Sequence, residues 1–253
     1  LRRFILLHNL INTITIQKSE DALFKMPENS VDLVFADPPY NIGVNYGTCK
    51  DNLSEEEYMS LSKKWWKGCQ RVLKETGSLY IMHYPEVCAE YLIMLKKLGM
   101  KYRKWISWVY SSNIGMSSKN FTTAHRAILF FSMSDKYTFN HLASPQPFKN
   151  PNDLRIKERI KNGQDGVVPY DWWNFQLVKN ISKEKTEWKN QIPLEIAERI
   201  VKISSNEGDV VLDPFMGSGT TAVAASNNSR GYIGFDLESN SREITSQRVK
   251  RGY

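Results

Sequence analysis

Apolar runs of strand length alternate with amphipathic runs of helix length along most of this 253-residue chain, and that alternation limits the possible folds more than any other feature. Residues 12–16 (NTITI) alternate as a strand, and 19–26 (SEDALFKM) read as a short helix capped by Ser19 or Asp21. Val31-Asp32-Leu33-Val34-Phe35-Ala36 reads as a buried strand. Residues 53–74 form an amphipathic helix in which Ser54 and Glu57 have capping-box spacing. GSLYIMH (77–83) is a strand, and the helix over 86–99 ends at Gly99, a left-handed terminator. WISWVY and RAILFFS read as two further strands. The period is lost between about 136 and 190, where Asn, Pro, Lys and Trp accumulate. It resumes as a helix over 193–205, a strand over 209–213, a helix over 220–228, a strand over 231–236 and a last helix over 241–251. Such alternation predicts a single α/β domain built on a doubly wound, mostly parallel seven-stranded sheet covered on both faces.

Two of these strands end on chemistry. The 31–36 strand stops at Asp37-Pro38-Pro39-Tyr40. Consecutive prolines donate no ladder hydrogen bonds and stiffen the turn, so a carboxylate and a phenol are held at a strand end. The second unit, VVLDPFMGSGTTAVAA (210–225), is a strand, a glycine turn and a helix start. Gly217 and Gly219 let the backbone approach a ligand, and the helix N-terminus offers free N–H groups to an anion. The following strand ends in Asp236, placed to accept hydrogen bonds from a ribose. Gly217–Ala222 fits G-x-G-x-x-A, and no lysine follows the second glycine, which excludes a Walker loop. The carboxylate of Asp213, ahead of Pro214 and Phe215, suits a ligand with an ammonium or sulfonium better than a pyrophosphate. S-adenosylmethionine has both cations, a carboxylate and a ribose.

The net charge of +7 and pI of about 9.2 fit either a polyanionic partner or a merely basic soluble enzyme, and charge alone does not separate the two. Within 136–190, ten Lys/Arg face six Asp/Glu, and Tyr170, Trp172 and Trp173 add aromatic surface suited to grasping DNA. Cys49, Cys69 and Cys88 lack metal spacing and imply a reducing compartment, so no metal site is expected. No apolar run approaches the ~20 residues of a transmembrane helix. The opening LRRFILLHNLINTITI reads as the first ordered segment and not a signal peptide, which together with the cysteines places the chain in the cytoplasm. Trp65, Trp66, Trp105 and Trp108 are expected in the core, and His83 and His125 in structural roles.

DPPY at 37–40 followed, after a variable segment, by DPFMGSGTT at 213–221 resembles the amino-DNA methyltransferases that modify adenine N6 or cytosine N4. The motif order is similar to the permuted β group, which includes type II restriction–modification methylases. NQIPLEIAERIV (190–201) likewise resembles the helix that leads into the family's cofactor motif. The resemblance implies a circularly permuted, Rossmann-like, S-adenosylmethionine-dependent fold. Residues 1–139 would form a catalytic half, 140–187 an inserted target-recognition region and 188–253 a cofactor-binding half. It assigns Asp37, Pro38, Pro39 and Tyr40 to catalysis. Cofactor contacts fall on Asp21, Ala36, Asp37, Asn190, Gln191, Pro193, Asp213, Pro214, Phe215, Gly217, Ser218, Gly219, Thr220, Thr221, Asp236 and Leu237.

The implied reaction is methyl transfer to adenine N6 in double-stranded DNA, on a base flipped out of the stack. Asp37 and the Pro38 carbonyl would accept the amine hydrogens, and Tyr40 would stack on the base. An aspartate opening the motif leans toward adenine, with cytosine N4 as the alternative. Cytosine C5 chemistry needs a Pro-Cys, which is absent. A nicotinamide-dependent oxidoreductase would use the glycine turn but leaves DPPY unexplained, and a non-catalytic partner subunit would not need Asp37 and Tyr40. A homodimer and a cognate restriction endonuclease are compatible partners, and a prokaryotic, nucleoid-associated location follows from the resemblance. The chain departs from the family's pattern at Trp188-Lys189, where His-Pro is usual, and at Ala124-His125-Arg126-Ala127, where relatives commonly carry a glutamate. It also has Glu20-Asp21 in place of Gly-Asp.

Overall fold

A computed structural model describes residues 7–43, 51–110 and 118–253. The first six residues of the opening segment, Cys49 and residues 111–117 lie outside the described residues. The strands are β1 (Thr13–Ile16), β2 (Val31–Ala36), β3 (Leu73–His83), β4 (Lys101–Val109), β5 (His125–Ser132), β6 (Trp172–Asn174), β7 (Val210–Asp213) and β8 (Gly231–Asp236). The helices are α1 (Ser19–Lys25), α2 (Glu55–Val72), α3 (Pro85–Lys97), α4 (Leu154–Lys161), α5 (Leu194–Ser204), α6 (Thr220–Asn227) and α7 (Asn240–Arg251).

Among the described residues the strands form one sheet in the order β1-β8-β7-β2-β3-β5-β4-β6. The seven strands expected from the pattern are all present, and β6, three residues from the aperiodic segment, adds an eighth parallel to β4 at the edge. Only β5 runs against its neighbours β3 and β4. The strands β7 and β8, from the end of the chain, sit between β1 and β2, from its beginning. This is the permuted arrangement in three dimensions. Asp32 fastens the seam, since its carboxylate accepts from Val210 N at 2.9 Å and from Lys74 Nζ at 2.8 Å.

Both faces of the sheet are covered, which is why β2 and β7 are almost wholly apolar. One core gathers α1, α2 and α3 around Leu23, Trp66, Tyr91 and Leu95; the other gathers α5 and α6 around Ile196, Ile200 and Ala224. Full burial of a side chain such as Leu23 or Ile196 stabilises the fold by roughly 1.5–3 kcal/mol. Helix α2 starts with the expected capping box, Ser54 accepting from Glu57 N and Glu57 from Ser54 N. Gly99 ends α3 with φ +87°. Neither Ser19 nor Asp21 caps α1: its N-cap is Lys18, and the Ser19 hydroxyl instead donates to the Pro214 carbonyl, tying α1 to the glycine turn.

Segment 140–187 is less irregular than its composition suggests, for it contains α4 and β6. Trp173 differs from the expected surface role, being buried in the α5 core with its indole N–H donating to Tyr170 O at 3.0 Å. Tyr170 and Trp172 are exposed and stack on each other, 5.7 Å between centroids. No helix among the described residues is long and apolar enough to cross a membrane.

Candidate active site

The carboxyl ends of β2, β3, β7 and β8 share one edge of the sheet and deliver Asp37, Tyr84, Asp213 and Asp236 to it. Tyr110 arrives there from the end of β4, and Arg126 from the start of antiparallel β5. Connections leave β2 and β7 toward opposite faces, so a crevice opens between these neighbouring strands, as at other switch points of doubly wound sheets. It is a cavity of about 430 Å³.

On one wall stands the DPPY turn. The Tyr40 hydroxyl donates to Asp37 Oδ1 at 2.8 Å. Asp37 opens onto the cavity but is otherwise enclosed, and this desolvation pushes its pKa up to about 7. The Tyr40 hydrogen bond opposes the rise, the Asp213 charge adds to it, and the Arg126 charge opposes it. The Pro38 carbonyl accepts no hydrogen bond from the described residues. After the motif, Asn41 takes a left-handed turn, φ +56°. Its side chain brackets Leu53 N and O at 2.8 and 2.9 Å, which anchors the turn to the approach to α2.

The Tyr40 ring stacks on His83, 4.3 Å between centroids, and meets the edge of Tyr84 at 5.2 Å. The Arg126 guanidinium lies 4.0 Å over Tyr84 and donates to the Tyr84 hydroxyl at 3.1 Å and to the Tyr110 hydroxyl. This aromatic wall with a cation can receive a flat, electron-rich ring.

The opposite wall is the glycine turn. Gly217 and Gly219 both have positive φ, +53° and +84°. Asp236 accepts from Gly217 N at 2.6 Å and from Glu238 N at 2.8 Å, which joins the end of β8 to the turn. Asp213 accepts from Phe215 N at 2.9 Å and from the Thr221 hydroxyl at 2.5 Å. Burial pushes Asp213 up to about 7, and it also raises Asp236. Two enclosed carboxylates, Asp37 and Asp213, thus face a cavity in which a bound cation would offset their desolvation. The side chain of Trp188 packs over Gly217, where an added Cβ would lie 3.0 Å from Nε1.

Of the expected residues, Asp37, Pro38, Pro39, Tyr40, Asn190, Gln191, Asp213, Pro214, Phe215, Gly217, Ser218, Thr220, Thr221, Asp236 and Leu237 line this cavity. Asp21, Ala36, Pro193 and Gly219 do not. Asp21 is exposed on α1, and it is Glu20, fixed by Trp65 Nε1 at 3.1 Å, that faces inward. Ala36 is sealed in the sheet, Pro193 is the N-cap of α5, and Gly219 supports the turn from behind. Lys18, Tyr84, Trp108, Tyr110, Arg126 and Trp188 also line the cavity. Trp108 is buried, as expected of a core residue, yet its ring forms part of the cavity wall. Tyr84 directly follows the strand expected at 77–83 and Arg126 opens the strand RAILFFS, but only the antiparallel pairing of β3 and β5 brings the two together.

A family model described as DNA methylase matches residues 31–247. The chain is 37% identical to the type II methyltransferase M.HpaI of Haemophilus parainfluenzae, over 90% of this chain and 71% of that protein. It is 34% identical to the DNA adenine methyltransferase YhdJ of Escherichia coli, over 86% and 75%. Among solved structures, the cytosine-N4-specific PvuII DNA methyltransferase superposes with a TM-score of 0.70 at 17% identity, covering 95% and 93% of the two chains. The M1.HpyAVI–SAM complex superposes at 0.68 with 21% identity, covering 94% and 98%. With both signature motifs on one crevice of a permuted sheet, and a family model spanning most of its length, the chain belongs to the N6/N4 family of DNA methylases.

Proposed function

We propose that this chain transfers a methyl group from S-adenosylmethionine to the exocyclic N6 of adenine in double-stranded DNA, on a base turned out of the helix. The observation that carries this reading is that the DPPY carboxylate and the glycine turn open onto the same cavity. The enclosed acids and the glycine turn fit a nucleoside with a cationic arm, held by Gly217, Asp213 and Asp236. When bound, S-adenosylmethionine supplies an electrophilic methyl group.

The chain's own part is positioning and electrostatics. An exocyclic amine is a weak nucleophile because its lone pair is spread into the ring. Asp37 and the Pro38 carbonyl accept hydrogen bonds from its two N–H groups, which favours a pyramidal nitrogen with a directed lone pair, and the one proton displaced by the methyl group leaves to solvent. Tyr40 offers the extruded base a surface that offsets part of the lost stacking, roughly 1–3 kcal/mol per base. Segment 140–187 reads the DNA site, with exposed Tyr170 and Trp172 and a basic surface as its means. The adenine choice is supported by Asp37 at the head of the motif and by the likeness to an adenine methyltransferase. A prokaryotic cytoplasm, close to the chromosome and alongside an endonuclease of matching specificity, is the setting that accords with this reading.

The test is mass spectrometry of nucleosides from duplex DNA treated with the purified protein. The expected product is N6-methyladenine; methyl found only on cytosine N4 would overturn the base assignment and leave the fold untouched.

Asp37 must be ionised to accept an amine N–H. Its pKa is about 7 in the free chain, so kcat/KM is expected to rise through neutral pH as the carboxyl loses its proton. Arg126 opposes the upward shift. Arg126→Gln should therefore move the acid limb of the pH–rate profile to higher pH, with the largest loss of rate below neutrality. A uniform loss at every pH would mean that Arg126 does not act on Asp37.

A further inference from the structure

The face of the DPPY turn that looks away from the cavity is tied to a buried chain of hydrogen bonds. Tyr58 on α2 donates to the Pro39 carbonyl at 2.6 Å. The Tyr58 oxygen lies 3.0 Å from His83 Nε2 and accepts from the Tyr91 hydroxyl at 3.0 Å. Tyr91 on α3 is in turn 2.9 Å from Ser62 Oγ. The backbone N–H of Tyr84 donates to His83 Nδ1 at 2.8 Å. All four side chains are buried.

One arrangement of protons satisfies the set. Tyr84 N–H occupies Nδ1, so the imidazole carries its proton on Nε2. Tyr58 spends its single hydrogen on Pro39, so its oxygen receives Nε2–H and the Tyr91 hydrogen. Ser62 then donates to Tyr91. An imidazolium would set Nδ1–H against Tyr84 N–H. Burial first, and then the nearby Arg126 charge, lower His83 to about 3, against the Pro39 backbone carbonyl, whose hydrogen bond favours the charged ring.

We propose that Tyr58 and neutral His83 are positioning residues for methyl transfer, fixing which carbonyl of the double-proline turn faces the target amine. Pinning the Pro39 carbonyl toward α2 sets the plane of the Pro39–Tyr40 peptide. Among the described residues the Pro38 carbonyl has no donor, while the His83 ring backs Tyr40 at 4.3 Å. One turn thereby presents a carboxylate, a carbonyl and a ring in fixed relation. The proposal rests on the amine-methyltransferase reading above.

Two measurements test it. In nitrogen-15 spectra of the full chain, His83 should appear as the neutral Nε2–H tautomer and should not titrate between pH 5 and 8. An Nδ1–H tautomer, or titration near the ordinary value of about 6.5, would overturn the proton arrangement. Tyr58→Phe should lower kcat roughly 10–100-fold, since a misplacement of about 1 Å can cost 10²-fold. KM for DNA and cofactor affinity should remain within about twofold. Tyr91→Phe keeps the Tyr58–Pro39 bond and should have a smaller effect. Unchanged kcat in Tyr58→Phe, or an equal loss in both variants, would reject the positioning role. If the wild-type chain methylated no DNA, the proposed function would fall, while the spectra would still decide the tautomer.

Discussion

Asp37→Ala is expected to lower methyl transfer by on the order of 10²–10³-fold or more, with cofactor affinity within about threefold of wild type. The asymmetry follows from the two walls of the cavity. Asp37 sits at the end of β2 with Tyr40, while the glycine turn is organised by Asp236 and Asp213 through bonds that exclude Asp37. Removing the carboxylate takes away the strongest acceptor for the amine and leaves Tyr40 without its partner. It also removes one of two like charges, so cofactor-free stability should hold or rise slightly at pH 8. A carboxyl whose pKa is raised from 3.8 to about 7 on folding costs stability increasingly as pH climbs between those values, and in full above about 7. A labelled-methyl assay beside titration calorimetry reads both quantities. Near-normal turnover would remove Asp37 from the chemistry, and lost cofactor affinity would move it to the other wall.

Gly219→Ala should act on the opposite wall, with a fall of roughly 4–20 °C in Tm and a loss of cofactor affinity of about tenfold or more. A residue with a Cβ at φ +84° costs roughly 1–2 kcal/mol. The new Cβ would also lie 2.7 Å from Thr245 Cβ, inside any real contact. Thr245 is fully buried on α7, so the turn must move instead, and crowding of this kind costs typically 1–3 kcal/mol. For a domain of this size each kcal/mol shifts Tm by about 2–4 °C. Gly99→Ala is the control, because Gly99 shares the left-handed φ, +87°, but an added Cβ meets nothing within 4 Å. It should cost stability alone and leave cofactor binding intact. Equal cofactor affinity in Gly219→Ala and wild type would show that the turn tolerates displacement.

Local pattern reaches a long way in this chain and stops at identifiable places. Residues 31–36 and 210–213 read as buried strands because both of their faces are covered, and each ends on an acid that the fold carries to the crevice. Glu20 and Asp21 could not be separated by pattern, since adjacent positions on a helix turn point about 100° apart and only the docking of α1 under Trp65 selects Glu20. Trp173 reads as surface because it lies in an aperiodic, basic segment, but a three-residue strand puts alternate side chains on opposite faces. Arg126 and Tyr84 reach the cavity only because antiparallel β5 begins where β3 ends, a fact of strand direction that no local window contains. His83 reads as structural from sequence, but its contact with Tyr58, which ties it to the Pro39 carbonyl, comes from α2, 25 residues away in sequence.

The interleaving of β7 and β8 between β1 and β2 also orders events during synthesis. Until residues 210–236 leave the ribosome, no strand links β1 to β2 and β2 presents a bare apolar edge. Unpaired edges of that kind recruit other strands, and contacts between distant parts of a chain form late. The nascent polypeptide therefore carries the DPPY turn with no opposite wall until residues 210–236 follow. Residues 210–236 therefore do two things in one step: they cover the open edge of β2 and bring the second wall to the crevice.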